Sequence, residues 1–243
     1  MMTTIVPSIF PGGVVSAFST RRGGVSPAPL GMNLSFRVGD DPENVKKNRE
    51  LFFESLGVPL DRLAIPAQVH GSTVRIAEKP GDYPEADALL TDRPGVFLCV
   101  SVADCVPVLM FDPGRNVVGV VHAGWRGSSA GITGTAVRTM VETFGTDPAD
   151  LLVSVGPSAS SCCYMVGPDV AARFAPEFRE KREGGVYVDL KEANRGQLLR
   201  SGVRSGNIEV SPHCTISEPE LFHSHRRDGA KSGRMMGVIG RIG

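Results

Sequence analysis

Apolar residues are most concentrated near the middle of the chain, in three short valine-rich runs over residues 96–102, 106–111 and 117–121. Each run is too short for a buried helix and is rich in β-branched side chains, so each is predicted to be a buried strand. Polar residues lie where the runs end. Cys105 separates the first two runs, and His122 directly follows the third. A thiol and an imidazole at neighbouring strand ends predict a reactive site.

The rest of the chain alternates between strand and helix patterns. Asp41 is predicted to cap a helix over residues 42–56, which begins with proline and ends before Gly57. This alternation has no repeat and no low-complexity linker, which predicts one layered α/β domain over residues 1–243. Further helices are predicted over residues 128–144, 168–174 and 191–201, further strands over residues 14–20, 73–76, 88–91, 151–155, 186–190, 208–210 and 235–239, and a polar surface loop over residues 83–87.

The balance of charges changes which partners are expected. Lys and Arg together number 26, as do Asp and Glu, so the chain carries no net field that would attract nucleic acid or an anionic membrane. No apolar run approaches the ~20 residues of a membrane span. The N-terminus also lacks the basic and apolar regions of a secretory signal. These observations predict a cytoplasmic protein that binds neither nucleic acid nor membranes.

The five cysteines are predicted to be reduced. Their number is odd and no CxxC pair occurs, which argues against a disulfide framework or a zinc ribbon. Cys162 and Cys163 are adjacent, and neighbouring Cα atoms lie only ~3.8 Å apart, below the usual disulfide range of ~4.4–6.8 Å. Reduced thiols agree with a cytosolic location. Cys99 alternates into a strand and is interpreted as a small buried apolar residue.

Several motifs occur in an order that makes the chain recognisable. QVHG occupies residues 68–71, ADCVPVL occupies residues 103–109 and HAGWRG occupies residues 122–127. They are accompanied by TRRGGVS, VGDDPENVKKNR, CCY and SHRRDGAKSGRM, so nearly the whole chain takes part. Together the motifs resemble those of the YfiH/YlmD laccase-domain family. The resemblance implies an α/β/α layered fold with a mixed sheet, related to folds assigned to cysteine hydrolases.

The resemblance also implies an enzymatic function and a cofactor. Members of the family were first described as copper-dependent polyphenol oxidases and later as zinc-dependent enzymes of purine nucleosides. The expected function is therefore a zinc-dependent purine nucleoside phosphorylase that acts on adenosine, inosine and S-methylthioadenosine and also deaminates adenosine. Purine nucleosides and phosphate are the expected partners. Zn²⁺ is the expected cofactor, with copper as the alternative.

By the motifs, the metal ligands of the family fall on His70, Cys105 and His122. Two imidazoles and a thiolate suit zinc, and three protein ligands leave the fourth position open for water or substrate. Cys105 and His122 are also predicted to be catalytic, and a bound metal would keep Cys105 as a thiolate at neutral pH. Asp104 is predicted to orient a ligand or to act as an acid–base group; the alternative is that it only forms a turn at a strand end.

Substrate contacts are predicted from side-chain chemistry. Arg21, Arg226 and Arg227 are predicted to bind phosphate, because guanidinium groups match phosphate oxygens bidentately; the alternative is that they belong to solvated basic loops. Asn33 and Gln68 are predicted to bind the polar edges of the ribose or the purine. These residues, with the three metal ligands and Asp104, make up the predicted active site.

The chain departs from the family's usual residues at a few positions, which are expected to change the shape of the substrate pocket. Ser158 and Ser160 stand where a cysteine and a glycine are usual, and Met165 stands where a glutamate is common. His223 and His225 occupy positions that are more often aromatic.

Alternatives to this function stay open. A copper polyphenol oxidase needs a blue-copper centre and a trinuclear array, whereas the motifs that hold the ligands contain only two histidines. A metal-free hydrolase would use Cys105 as a nucleophile activated by His122. A non-enzymatic metal-binding protein has no positive sign in the sequence. The single tryptophan, Trp125, is interpreted either as a stacking surface for a base or as packing for its loop.

Overall fold

The computed structural model describes residues 2–242, which form two six-stranded sheets, one three-stranded sheet and six α-helices. Within these residues, every helix is too short or too polar to cross a bilayer. The strands are β1 (Thr4–Ile5), β2 (Val14–Ser19), β3 (Leu63–Pro66), β4 (Val74–Ile76), β5 (Gly81–Tyr83), β6 (Ala88–Thr91), β7 (Phe97–Val102), β8 (Val106–Asp112), β9 (Val117–Ala123), β10 (Leu152–Val155), β11 (Met165–Val166), β12 (Arg179–Arg182), β13 (Gly185–Val188), β14 (Ile208–Val210) and β15 (Met235–Arg241). The helices are α1 (Pro42–Ser55), α2 (Trp125–Ser129), α3 (Ile132–Phe144), α4 (Pro168–Ala171), α5 (Leu190–Arg200) and α6 (His225–Asp228).

Both large sheets combine parallel and antiparallel pairs. The first sheet has the strand order β1-β2-β15-β7-β3-β5, with parallel pairs between β7 and β3 and between β3 and β5. The second has the order β14-β10-β8-β9-β6-β4 and is parallel only at its two edges. A small antiparallel sheet has the order β11-β13-β12. The predicted α/β class with mixed strand pairing is confirmed.

The two large sheets stack face to face between helices. On β7, Leu98 and Val100 pack in an apolar cluster with residues of β8 and β9, while Phe97 and Cys99 face the opposite way and pack with residues of α1. This arrangement follows from the two-residue period of a strand whose faces are both buried. Helices α3 and α5 cover the outer face of the second sheet. The expected α/β/α fold has a single β layer between its helices, whereas the structure has two stacked sheets. The chain passes from one sheet to the other between β7 and β8, which are consecutive in sequence.

Most predicted elements are present, and the exceptions have local causes. The valine-rich runs form β7, β8 and β9, and the helix predicted over residues 42–56 is α1. Asp41 caps α1 by accepting a hydrogen bond from the backbone N–H of Glu43 at 2.9 Å. The helix predicted over residues 128–144 is divided into α2 and α3, because Gly131 has a left-handed φ of 83°. The sequence does not predict β12, since its residues, REKR, lack apolar alternation.

The crossover from the first sheet to the second positions the predicted site. Asp104 lies in this crossover with a left-handed φ of 85°, which turns the chain between β7 and β8. Cys105 therefore lies at the boundary between the two sheets. His122, near the end of β9, pairs with Pro107 of β8. The loop that follows β3 carries His70, so the two sheets and their connections bring three distant motifs together.

Candidate metal centre and active site

The structure brings His70, Cys105 and His122 into one group. Their ligand atoms all lie within 4.8 Å of one another. His122 is almost fully buried, Cys105 is half-buried and His70 is exposed, so the group opens to solvent on one side. His70 has a left-handed φ of 58°, an uncommon conformation for a residue other than glycine. Such a conformation at a ligand position is typical of functional sites.

Asp87 contacts two of the three candidate ligands at once. Its carboxylate lies 2.8 Å from Nδ1 of His122 and accepts hydrogen bonds from the backbone N–H groups of His70 at 3.0 Å and Gly71 at 2.7 Å. Asp87 is fully buried, so these contacts are shielded from water. When Nδ1 of His122 donates to Asp87, Nε2 keeps its lone pair for a metal. The prediction that residues 83–87 form a polar surface loop is wrong at Asp87, because the carboxylate folds inward onto these donors.

The electrostatics of the site favour a charged pair in the metal-free protein. Burial alone raises the pKa of the Cys105 thiol, but the positive charge of His122 and contacts with both imidazoles lower this pKa to about 6. Burial alone lowers the pKa of His122, but the Cys105 thiolate and Asp87 raise this pKa to about 9. Between these values Cys105 is a thiolate and His122 is an imidazolium. The sulfur is thus in the form that binds a metal ion.

The space among the three side chains also fits a metal ion. A Cβ atom added at Gly124 would lie 3.0 Å from Nδ1 of His70 and 3.2 Å from Sγ of Cys105. Only glycine at this position leaves the region between the two ligands free. Two imidazoles and one thiolate form a donor set typical of zinc, with a fourth position left for another ligand. His70, Cys105 and His122 therefore fit the predicted ion in both chemistry and space.

The group faces a cavity with a volume of about 740 Å³. Three guanidinium groups line this cavity, those of Arg37, Arg49 and Arg234. Arg234 anchors Nη1 on the carbonyl oxygens of Ser232 at 2.7 Å and Gly233 at 2.9 Å. Asp82 also lines the cavity, and the three guanidinium groups outnumber its carboxylate, which suits the cavity to an anion beside the candidate metal ligands.

Gln68 and His225 also line this cavity. Gln68 is held in place by Ser101 of β7: Nε2 donates to its carbonyl oxygen at 2.9 Å, and Oε1 accepts from its N–H at 2.8 Å. The side chain therefore continues the strand pairing into the loop that carries His70. His225, one of the departures from the family's usual residues, stands at the cavity wall, as expected for a residue that shapes the pocket.

Asp104 lies beside the ligands, and its carboxylate is committed to the protein. Oδ1 accepts a hydrogen bond from the hydroxyl of Thr215, and Oδ2 accepts one from the backbone N–H of Arg226, both at 2.7 Å. The carboxylate is buried and holds the first turn of α6. These contacts tie the Cys105 crossover to α6 and to Thr215, and the predicted role of Asp104 in orienting a ligand stays a prediction. Its predicted role in acid–base chemistry stays a prediction.

Three residues predicted to contact substrate lie away from the cavity. Arg21 donates to the carbonyl oxygens of Pro219 and Pro29. Asn33 is fully buried and uses its amide on Ser35, Asp40 and the backbone N–H of Arg234. Arg227 directs all five of its N–H groups to the carbonyl oxygens of Thr215, Ile216 and Phe222 and to the carboxylate of Asp228.

Arg226 and Trp125 line a separate cleft of about 550 Å³. The Arg226 guanidinium lies 4.9 Å from the ring centre of Tyr164 and donates to the carbonyl oxygen of Met165. Trp125 is stacked by the guanidinium of Arg126 at 4.3 Å from its ring centre. This cleft adjoins α6, whose first turn is held by Asp104, and Trp125 and Tyr164 give it an aromatic wall.

The sequence prediction missed Asp87 and the arginines of the cavity. Asp87 directly precedes the apolar strand β6, and an acidic residue beside a buried strand was the available signal. Arg234 lies within SHRRDGAKSGRM, and Arg37 and Arg49 lie in or next to VGDDPENVKKNR. Their motifs are therefore visible in the sequence, whereas the choice among several arginines requires the fold.

In the metal-free protein, Cys105 is expected to react with iodoacetamide at neutral pH. The rate should rise through about pH 6, because the neighbouring imidazolium makes the thiolate available there. Cys99 serves as the control and is expected to stay unmodified, since burial raises its pKa and excludes the reagent. Timed alkylation followed by peptide mass spectrometry measures both thiols. Prior addition of zinc should protect Cys105; equal rates with and without zinc would place the metal elsewhere.

Comparison with known proteins establishes the family. Residues 15–242 match the family described as multi-copper polyphenol oxidoreductase laccase. The chain therefore belongs to this laccase-domain family, as its motifs predict. The crystal structure of YlmD from Geobacillus stearothermophilus matches with a TM-score of 0.92 and 38% sequence identity, over 98% of this chain and 94% of that chain. The mixed α/β fold is thus shared with a solved member of the family.

Curated relatives carry the names of enzymes that act in purine metabolism. A protein of Deinococcus radiodurans named purine nucleoside phosphorylase is 43% identical, over 93% of this chain and 89% of its own length. A protein of an unknown prokaryotic organism named adenosine deaminase RL5 is 36% identical, over 90% of this chain and 91% of its own length. These names support an enzyme of purine metabolism, and the group His70, Cys105 and His122 supports a metal site.

Proposed function

We propose that this chain is a zinc-dependent purine nucleoside phosphorylase. The observation that carries the proposal is the group His70, Cys105 and His122, which faces a cavity of about 740 Å³ lined by three guanidinium groups. Metal ligands and anion-binding side chains around one cavity match a reaction whose two substrates are a nucleoside and phosphate. The identity of 43% to the Deinococcus radiodurans protein of that name supports the same reaction.

Zinc is the metal that this donor set favours. Imidazole and thiolate ligands suit zinc, and three of them leave a position for substrate or water. When bound, the ion supplies a Lewis acid that polarises a substrate oxygen or water. Copper stays the alternative metal, since it also binds imidazole and thiolate ligands. Metal analysis of the protein purified without added metal distinguishes the two, with about one zinc per chain expected from a single site.

Residues of the chain bind and orient the substrates in this proposal. Asp87 keeps Nδ1 of His122 in hydrogen-bond contact at 2.8 Å and so fixes the imidazole. Arg234 offers its remaining donors to phosphate, with Nη1 held by two backbone carbonyls. Arg37 and Arg49 add positive charge to the same cavity. A cavity of about 740 Å³ lies in the size range of typical ligand pockets, roughly 300–1,000 Å³.

The proposal extends to adenosine, inosine and S-methylthioadenosine as nucleoside substrates and to deamination of adenosine. The relative named adenosine deaminase RL5, at 36% identity, supports the deaminase activity. Deamination uses water in place of phosphate, so both reactions would share the metal and the cavity beside it. A panel of the three nucleosides with and without phosphate ranks the substrates.

The deciding experiment measures whether inosine turnover requires phosphate. The expected products are hypoxanthine and ribose 1-phosphate, with no uptake of oxygen, because zinc has no redox chemistry. Chromatography of the products and an oxygen electrode measure both outcomes in the same preparation. Oxidation of a phenol that scales with bound copper, without turnover of nucleosides, would instead favour the polyphenol oxidase.

A second function, a metal-free cysteine hydrolase, is favoured by one specific observation. Asp87, His122 and Cys105 form a chain in which a buried carboxylate contacts the imidazole and the imidazole polarises the thiol. This order is that of a nucleophile, its base and the group that orients the base. Removal of metal by a chelator separates the two functions, since phosphorolysis should stop and a cysteine hydrolase should stay active.

Replacement of Arg234 by glutamine is expected to raise the KM for phosphate about 10- to 150-fold, because a hydrogen bond to a charged group contributes roughly 1.5–3 kcal/mol. Deamination of adenosine needs no phosphate, so its rate should change much less. Steady-state kinetics with inosine at varied phosphate, and with adenosine alone, measure this difference. Arg234→Lys should restore binding only in part, since lysine keeps the charge but loses the planar fork.

Arg227 and Arg226 supply the comparison for this experiment. Arg227→Gln is expected to lower the melting temperature without a change in phosphate KM, because its N–H groups all bind within the protein. Arg226→Gln tests the prediction that Arg226 binds phosphate. An increase in phosphate KM for Arg226→Gln or Arg227→Gln, with none for Arg234→Gln, would move the phosphate site to α6.

A further inference from the structure

A second cluster of thiols lies outside the site of His70, Cys105 and His122. Sγ atoms of Cys162, Cys163 and Cys214 all lie within 4.8 Å of one another. Cys162 and Cys163 are adjacent in the loop after β10, and their sulfur atoms are 3.2 Å apart. Cys214 comes from the segment after β14 and joins the same loop through a β-bridge with Ser158. Tertiary structure therefore assembles three thiols from two separate segments.

The three thiols differ in exposure in a way that suits ion capture. Cys162 is exposed, Cys163 is half-buried and Cys214 is buried. An ion from solution can therefore bind first to the exposed Cys162 and then contact the buried sulfur of Cys214. Within residues 2–242, the donors that meet the 4.8 Å distance in this cluster are sulfur atoms only, with no imidazole and no carboxylate.

Polar groups around Cys214 stabilise a negative sulfur. Burial alone raises the pKa of the Cys214 thiol, but hydrogen bonds from the backbone N–H of Ser160 and from Ser217 lower this pKa to about 6. The Ser160 nitrogen lies 3.4 Å from Sγ of Cys214. Burial and the neighbouring thiols raise the pKa of Cys162 to about 12. A sulfur that accepts hydrogen bonds from the protein is suited to bind a cation as a thiolate, and the cation would ionise the neighbouring thiols.

Lys191 holds together the two segments that carry the three thiols. Its ammonium group is buried and donates to Ser160 Oγ at 2.9 Å, to the Ser211 carbonyl oxygen at 2.9 Å and to the His213 carbonyl oxygen at 2.6 Å. These bonds tie the loop that carries Cys162 to the segment that carries Cys214. The sulfur atoms are therefore held together by the protein even without an ion.

The composition of the cluster selects the ion. Soft thiolate ligands select Cu(I), zinc and iron–sulfur clusters. Structural zinc and iron–sulfur clusters take four protein ligands, and catalytic zinc sites with three protein ligands include histidine, whereas this cluster, within the described part of the chain, supplies three thiols and no imidazole. Of these ions, Cu(I) suits the cluster best. We propose that Cys162, Cys163 and Cys214 form a second metal site, which binds one Cu(I) ion through three thiolates. This site is separate from the ligands of the proposed zinc enzyme and does not depend on that function.

The test is an anaerobic titration of the reduced full chain with Cu(I), in competition with the chelator bathocuproine disulfonate. Cys105→Ala removes the first site, and this variant is expected to bind one equivalent of Cu(I). Adding Cys162→Ser to it should abolish that binding. X-ray absorption of copper in Cys105→Ala should detect sulfur neighbours only. Cys99→Ala, which removes an isolated buried thiol, should keep the full stoichiometry.

A measurement on the unaltered chain keeps the proposal testable if a variant does not fold. Two equivalents of Cu(I) should protect the half-buried Cys163 from iodoacetamide, whereas one equivalent of zinc should leave it reactive, as peptide mass spectrometry would detect. The proposal is overturned if copper does not protect this thiol. The proposal is also overturned if Cys105→Ala binds no Cu(I), or if the double variant Cys105→Ala, Cys162→Ser binds as much copper as Cys105→Ala alone.

Discussion

Replacement of Cys105 by alanine is expected to remove both the bound zinc and nucleoside turnover. The sulfur is the one negatively charged ligand of the group, and two imidazoles alone hold zinc weakly. Loss of a hydrogen-bond partner of a ligand already costs roughly 10- to 100-fold in metal affinity or activity, so loss of the ligand itself should exceed this range. Metal analysis after dialysis and phosphorolysis of inosine measure the two losses in the same samples.

Cys99→Ala is the matched control, because Cys99 is also a thiol in the central sheets but lies on the face that packs against α1. This variant should keep full zinc occupancy and turnover. Thermal unfolding of both variants checks that they fold. Full zinc occupancy in Cys105→Ala would contradict the assignment and place the metal at another site.

Replacement of Asp87 by asparagine is the change with the second largest expected effect. The Asp87 carboxylate faces donors on both oxygens: His122 Nδ1 and the His70 N–H on Oδ1, and the Gly71 N–H on Oδ2. An amide has only one acceptor oxygen, so its NH₂ group must face a donor whichever way it is turned. We expect zinc affinity to fall roughly 10- to 100-fold, since His122 and the His70 loop lose their common support.

The same substitution should change the pH dependence of stability. Burial raises the pKa of the Asp87 carboxyl, but hydrogen bonds from His122 and from the backbone of Gly71 and Val69 outweigh it and lower the pKa below its ordinary value. A lowered pKa in the folded state gives stability above the unfolded value, about 3.9, which is lost as the pH falls. The difference in unfolding free energy between the parent and Asp87→Asn should therefore be present at neutral pH and shrink below about pH 4.

Denaturant unfolding over this pH range and zinc titration with a chromophoric chelator provide the two measurements. Asp92→Asn is the control, because Asp92 is exposed and pairs only with its neighbour Arg93. If Asp87→Asn lowered stability but kept the zinc affinity of the parent, Asp87 would brace the loop without orienting the ligands.

The candidate metal ligands show which part of the site could be predicted from the sequence, and the substrate residues show which part could not. Cys105 and His122 stand out because they interrupt and end valine-rich runs, and their motifs identify the family. The substrate residues were harder, since Arg21, Arg226, Arg227 and Arg234 all lie in polar, glycine-containing segments of similar composition. Their roles differ only in the folded protein, where backbone carbonyl oxygens surround some of these arginines. Arg227, for example, uses all of its N–H groups in hydrogen bonds within the protein.

The strand pattern and the family follow from the sequence alone, which also singles out His70, Cys105 and His122 as candidate ligands. Apolar runs and motifs are formed by residues that are close together in sequence, so both can be recognised without knowledge of the fold. Other features depend on how the chain folds: β7 and β8 belong to different sheets, Asp87 turns inward to hold His122, and Cys214 joins Cys162. These contacts join residues far apart in sequence, and their geometry depends on how the two sheets stack, which no local pattern records.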